Sequence, residues 1–136
     1  MRKLLAALCL TLLPFTARGN VTDVDSAELA RLQAAGVAVM DIHTPAEWKE
    51  TGVVPGSHPL MFYDEKGNYD ERAWLARVNA IARPGDPVIV ICRSGNRTRE
   101  VSRVLSQKAG YARVYNAKDG ILAWLKERRP VTPVKP

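Results

Sequence analysis

The sequence predicts one α/β domain, a parallel sheet covered by helices on both faces. Two continuous apolar runs, Val37 to Met40 and Pro87 to Ile91, lack the alternation of a half-exposed strand and read as strands buried on both sides. Segments with apolar residues at helical spacing lie between and after them, so strand and helix alternate along the chain, as a parallel sheet requires. The sequence contains no internal repeat, no low-complexity stretch and no interdomain linker.

The elements follow in order. Ser26 reads as the cap of a short helix that turns Leu29 and Leu32 inward and stops at Gly36, before the first strand. Pro45 to Glu50 can form one or two helical turns starting at proline, while Val54-Pro55-Gly56 and Asp64 to Asn68 carry turn chemistry. Helical spacing resumes from Tyr69 to Ile81 through Trp74, Leu75 and Val78. After the second strand, Thr98 to Ala109 places Val101, Val104, Leu105 and Ala109 on one face and ends at Gly110. Val114-Tyr115 is a short strand, and Asp119 to Arg128 is a last helix offering Ile121, Leu122, Trp124 and Leu125 to the core. Trp48, Trp74 and Trp124 read as packing residues, and residues 130–136 as a loose C-terminal tail.

The first nineteen residues have the pattern of a cleaved export signal. Arg2 and Lys3 precede the apolar run Leu4 to Phe15, interrupted only by Thr11, and Ala17-Arg18-Gly19 puts small residues where a signal peptidase reads. That run is 12 residues long, short of the roughly 20 that span a bilayer, and it contains Pro14. No stable membrane insertion is expected, and the location is periplasmic or secreted. Removing residues 1–19 takes Arg2, Lys3 and Arg18 from a formal charge of +6 and leaves +3 on scattered side chains, which argues against a nucleic-acid surface. It also removes Cys9, so that Cys92 is left alone and no intrachain disulfide can form.

The surroundings of Cys92 suggest chemistry. Cys92-Arg93-Ser94-Gly95-Asn96-Arg97-Thr98 lies between a buried strand and a helix N-terminus, the place where open α/β sheets take ligands. A tight turn into a helix aims several backbone N–H groups at its own centre, and Gly95 and Asn96 tolerate the backbone angles such an anion cradle needs. An ordinary thiol is only about 3% ionised at neutral pH. A helix N-terminus contributes on the order of 0.3–1 kcal/mol and a charge-assisted hydrogen bond about 1.5–3 kcal/mol. Together these favour a thiolate without a neighbouring general base.

The same residues carry a family resemblance. Cys92-Arg-Ser-Gly-Asn-Arg97-Thr98 resembles the active-site loop of rhodanese sulfurtransferases, and Asp41-Ile-His-Thr-Pro45 through Gly52-Val-Val-Pro55-Gly56-Ser resembles that family's upstream motif. Gly110-Tyr111, Val114-Tyr115 and Gly120 to Trp124 resemble its C-terminal part. The resemblance covers residues 20–129 and implies a five-stranded parallel sheet flanked by helices on both faces. It implies that Cys92 takes the outer sulfur of a donor such as thiosulfate as a persulfide and passes it to cyanide, a thiol or a protein acceptor. Arg93, Ser94, Gly95, Asn96 and Arg97 would bind the donor or the persulfide: Arg97 beside the sulfur, Arg93 toward the mouth, Ser94 by its hydroxyl. Asp41 and Thr98 support them, and Asp41 and Glu47 read as structural acids fixing the loop or an arginine.

Three positions depart from the family pattern. His43 stands where an arginine is usual, Val53-Val54 where His-Ile is common, and Asp119-Gly120 where Gly-Gly is common. His43 and His58 with one remaining cysteine make a poor ligand set, so neither metal nor cofactor is expected. A monomer is expected, because one core uses every apolar face in the pattern. Two rivals are a cysteine phosphatase or arsenate reductase and a noncatalytic binding or redox-sensing module on the same fold. Tyrosine-phosphatase loops hold five residues between cysteine and arginine, whereas Arg93 to Asn96 are only four.

Overall fold

A computed structural model describes residues 19–135. Its five strands are β1 (Asn20–Val24), β2 (Ala38–Asp41), β3 (His58–Pro59), β4 (Val88–Ile91) and β5 (Arg113–Ala117). They pair only in parallel, in the order β1-β5-β4-β2-β3. The helices are α1 (Ser26–Ala34), α2 (Pro45–Thr51), α3 (Glu71–Ile81), α4 (Asn96–Arg103) and α5 (Gly120–Lys126). The export signal expected in residues 1–19 falls almost wholly outside the described residues.

β4 is central and buried at every position, which explains its unbroken apolar run. Its side chains alternate between two cores. Val88, Val90 and Cys92 pack with Trp74 and Val78 of α3 and Val101 of α4, while Ile89 and Ile91 pack with Leu29 of α1 and Ile121 and Trp124 of α5. Each fully buried aliphatic side chain contributes about 1.5–3 kcal/mol. The two cores thus clamp β4 from both sides and fix where its C-terminal end delivers Cys92.

Several expectations shift. The cap of α1 is Asp25, whose carboxylate accepts the Glu28 N–H at 2.8 Å, while Ser26 is buried inside the first turn. α4 begins at Asn96 rather than Thr98, directly after the left-handed Gly95. It widens at Val104–Lys108 into a π-helical turn, with the Ala109 N–H reaching the Val104 carbonyl at 3.1 Å. Ile81 and Leu122 remain exposed rather than packing inward. The C-terminal segment is not loose as far as Thr132: Val53 and Thr132 exchange backbone hydrogen bonds of 3.0 and 2.8 Å, and the Trp124 indole donates to the Pro130 carbonyl at 2.7 Å.

Candidate active site

The loop Cys92 to Gly95 leaves β4 at the carboxyl edge of the sheet and enters α4 without a side-chain cap. The first N–H groups of α4 therefore have no side chain of their own to satisfy them. Cys92 is 1% exposed and forms the floor. Its sulfur accepts the Gly95 N–H at 3.2 Å, and its thiol faces Thr98 Oγ1 at 3.7 Å. Thr98, wholly buried, donates its own proton to the Gly95 carbonyl at 3.1 Å. Gly95 and Thr98 thereby close a small ring around the sulfur.

The turn before α5 holds this ring in shape. The Ile121 and Leu122 N–H groups take the Cys92 and Arg93 carbonyls at 2.8 and 3.1 Å. Those oxygens are pinned outward, as a cradle for an anion requires. Two glycines permit the close approach: Gly95, at φ +92°, lies against the Lys118 carbonyl, and Gly120, at φ +63°, against the carbonyls of Cys92 and Arg93. A methyl group fits at neither position.

Both loop arginines point to α2. Arg97 makes a bidentate pair with Glu47, at 2.9 and 2.8 Å, across 50 residues of sequence. The Arg97 hydrogen bonds hold the Glu47 carboxyl down at about 2, against burial and with help from the Thr44 N–H. Arg97 is in turn pushed above its usual range, first by the bond to Glu47 and, to a lesser degree, by the nearby Cys92. Arg93 meets Glu50 at 3.1 Å. α2 is itself set by a capping box between Thr44 and Glu47, and by the Trp48 indole donating to Asp41 at 2.9 Å.

The chain matches the family described as Rhodanese-like domain over residues 25–127. It belongs to that family. The rhodanese-like chain is 32% identical over 113 residues to a sulfurtransferase of Allochromatium vinosum, covering 82% of this chain and 94% of that one. It is 27% identical over 115 residues to thiosulfate sulfurtransferase 18 of Arabidopsis thaliana, covering 82% and 84%. Among solved structures it shares its fold with a polysulfide-sulfur transferase homodimer of Wolinella succinogenes (TM-score 0.66, 19% identity, 88% and 83% covered). A rhodanese-like domain from Anabaena is similar in the same way (TM-score 0.64, 16% identity, 82% and 79% covered). The five-stranded parallel sheet expected from the resemblance is the sheet found.

Against this rhodanese-like frame, the site residues read from sequence fall into two groups. Cys92, Gly95 and Thr98 meet at the sulfur, and Asn96 opens α4. Arg97 stands beside Cys92 as expected, and the edge formed by its two terminal nitrogens is taken by Glu47. Arg93 lies near the mouth but is engaged by Glu50, and the exposed Ser94 hydroxyl meets Asn96 at 3.5 Å instead of the sulfur. Asp41 is a buried structural acid: one oxygen accepts the His43 N–H at 3.0 Å and the Trp48 indole, and sits 2.6 Å from His43 Nδ1. His43, in the place of the usual arginine, is wholly buried and held by Asp41. Sequence reasoning missed Glu50 and the supporting role of Gly120. The available signal was the pairing of two glutamates one helical turn apart with two loop arginines four residues apart.

Proposed function

We propose that the chain is a sulfurtransferase that carries sulfane sulfur as a persulfide on Cys92. The observation that supports this best is the sulfur at the end of β4, receiving the Gly95 N–H at 3.2 Å inside a four-residue cysteine-to-arginine loop. The Cys92 thiolate attacks the outer sulfur of a donor such as thiosulfate. A new S–S bond forms, the donor's own S–S bond breaks, and sulfite leaves with the electron pair. A thiol or cyanide then attacks the outer sulfur of the persulfide and releases the Cys92 thiolate, completing a two-step covalent cycle.

The terminal persulfide sulfur extends from Cys92 toward the free N–H groups of the first turn of α4, where the positive end of the helix favours negative charge. Thr98 can follow the change of charge by turning its proton from the Gly95 carbonyl to the sulfur. The small ring suits one sulfur atom better than a tetrahedral oxyanion, which counts against a phosphatase or arsenate reductase. We read residues 1–19 as an export signal that places this chemistry in the periplasm or outside the cell.

Intact-protein mass spectrometry after thiosulfate, and again after cyanide, tests the proposal. The expected result is gain of one sulfur atom that cyanide removes and that Cys92→Ser cannot acquire. Absence of added sulfur on a reduced Cys92, with alkyl persulfides as well as thiosulfate, would overturn it in favour of a noncatalytic module. The mass of the exported protein also reports whether residues 1–19 are removed.

A further inference from the structure

We propose that Glu50 is a specificity-determining residue that holds Arg93 and so biases the site against doubly charged sulfur donors, in favour of uncharged or singly charged persulfides. The inference rests on the sulfurtransferase reading and concerns the donor class of the same site.

Two arginines in an anion-binding loop would ordinarily leave its mouth strongly positive. Here each meets a carboxylate from α2, and the two pairs differ in kind. Glu47 and Arg97 are 21% and 30% exposed and joined by two hydrogen bonds, with the carboxyl held at about 2. That carboxylate stays ionised, and the pair closed, at neutral pH. Glu50 and Arg93 make a 3.1 Å contact between groups 60% and 37% exposed. Pairs of this kind shift an equilibrium by no more than about fivefold and weaken with salt. Arg93 is therefore the exchangeable cation of the loop, and Glu50 is its resident anion.

A donor with an anionic tail has to take Arg93 from Glu50 and then sit beside the displaced carboxylate. Freeing Arg93 costs the same for any donor that needs it and nothing for one that does not, while repulsion by the carboxylate grows with the charge of the tail, so a dianion such as thiosulfate is opposed more than a persulfide whose reactive end is sulfur alone. α2 can impose this bias without disturbing the core, since it buries no residue of its own and is attached through polar contacts. Glu50 itself belongs neither to the capping box of Thr44 and Glu47 nor to the ring around the sulfur.

The test is Glu50→Gln in the full mature protein, assayed by steady-state transfer from thiosulfate to cyanide and by the rate of Cys92 loading from an alkyl persulfide whose alkyl group is uncharged. At about 20 mM salt the variant is expected to lower the KM for thiosulfate about two- to fivefold and to leave persulfide loading unchanged; near 1 M salt, where screening acts within about 3 Å, the gain disappears. In an Arg93→Gln background the same substitution brings a smaller gain, because only the repulsion by the carboxylate is left to relieve. Glu71→Gln, which removes an acid paired with Lys108 at the surface, leaves the KM unchanged. A KM that stays the same or rises in Glu50→Gln, or an equal fall in Glu71→Gln, overturns the role of Glu50 alone. A wild-type protein that acquires sulfur from neither donor overturns the sulfurtransferase reading and this inference with it.

Discussion

Replacing Glu47 by Gln is expected to cost the protein stability in a way that depends on pH. The Glu47 carboxyl falls from an ordinary 4.5 to about 2 through its bond to Arg97. At about 1.4 kcal/mol per pH unit, that displacement corresponds to about 3 kcal/mol favouring the ionised folded form. Some of this is lost to solvent, since the side chain is 21% exposed, and a glutamine can still accept one Arg97 N–H. A destabilisation of about 2 kcal/mol at pH 7 remains, or about 6–10 °C in Tm for a domain of this size. The sign follows from the direction of the shift. A carboxyl more acidic in the folded than in the unfolded state contributes fully above about 4.5, and its contribution fades as pH falls toward 2. Urea unfolding of both proteins at pH 7 and pH 3 measures this directly. The gap between wild type and Glu47→Gln should shrink to less than half at pH 3. A gap of the same size at both pH values, or a variant as stable as wild type, would refute the assignment of this ion pair as a fixed clamp.

Two further substitutions probe the scaffold. Gly120→Ala sets a methyl group against the Arg93 carbonyl and 2.6 Å from the Cys92 oxygen at a backbone angle of φ +63°, so a loss of at least about 3 kcal/mol is expected by thermal unfolding, with sulfur uptake lost from any folded fraction. A chain ending at Arg129 loses the hydrogen bond to the Trp124 indole and both bonds between Val53 and Thr132. Urea denaturation should show a deficit of about 2–4 kcal/mol, whereas a chain ending at Pro133 should retain wild-type stability.

How far the sequence was legible depended on whether a structural cause acts locally. β2 and β4 are enclosed on both faces, so nearly every residue had to be apolar and the strands were visible as runs. β1 is an edge strand with four of its five residues exposed, and β3 is only two residues long, so neither leaves a pattern. The start of α4 was placed late because Gly95 supplies its turn through backbone conformation rather than through a capping side chain. The widening at Val104–Lys108 preserves the burial of Val104 and Leu105 and is invisible to apolar spacing. At the site, Cys92, Gly95 and Thr98 were legible because one short segment brings them together. The carboxylate partners of Arg93 and Arg97 were harder to assign, since the pairing of Arg97 with Glu47 depends on how the β2–α2 unit docks beside β4.

The span of that pairing also governs when in folding the thiol acquires its setting. Cys92 and the start of α4 can come together early, as neighbours in sequence, but Glu47 reaches Arg97 from 50 residues away and Ile121 arrives from the other end of the domain. Contacts of such long range form late, after their loop-closure entropy has been met. A nascent or partly opened chain thus presents Cys92 without its outward-pinned carbonyls and without a fixed arginine. The complete setting of the thiol exists only when the tertiary structure closes, so the sulfur loading proposed above would also report native assembly.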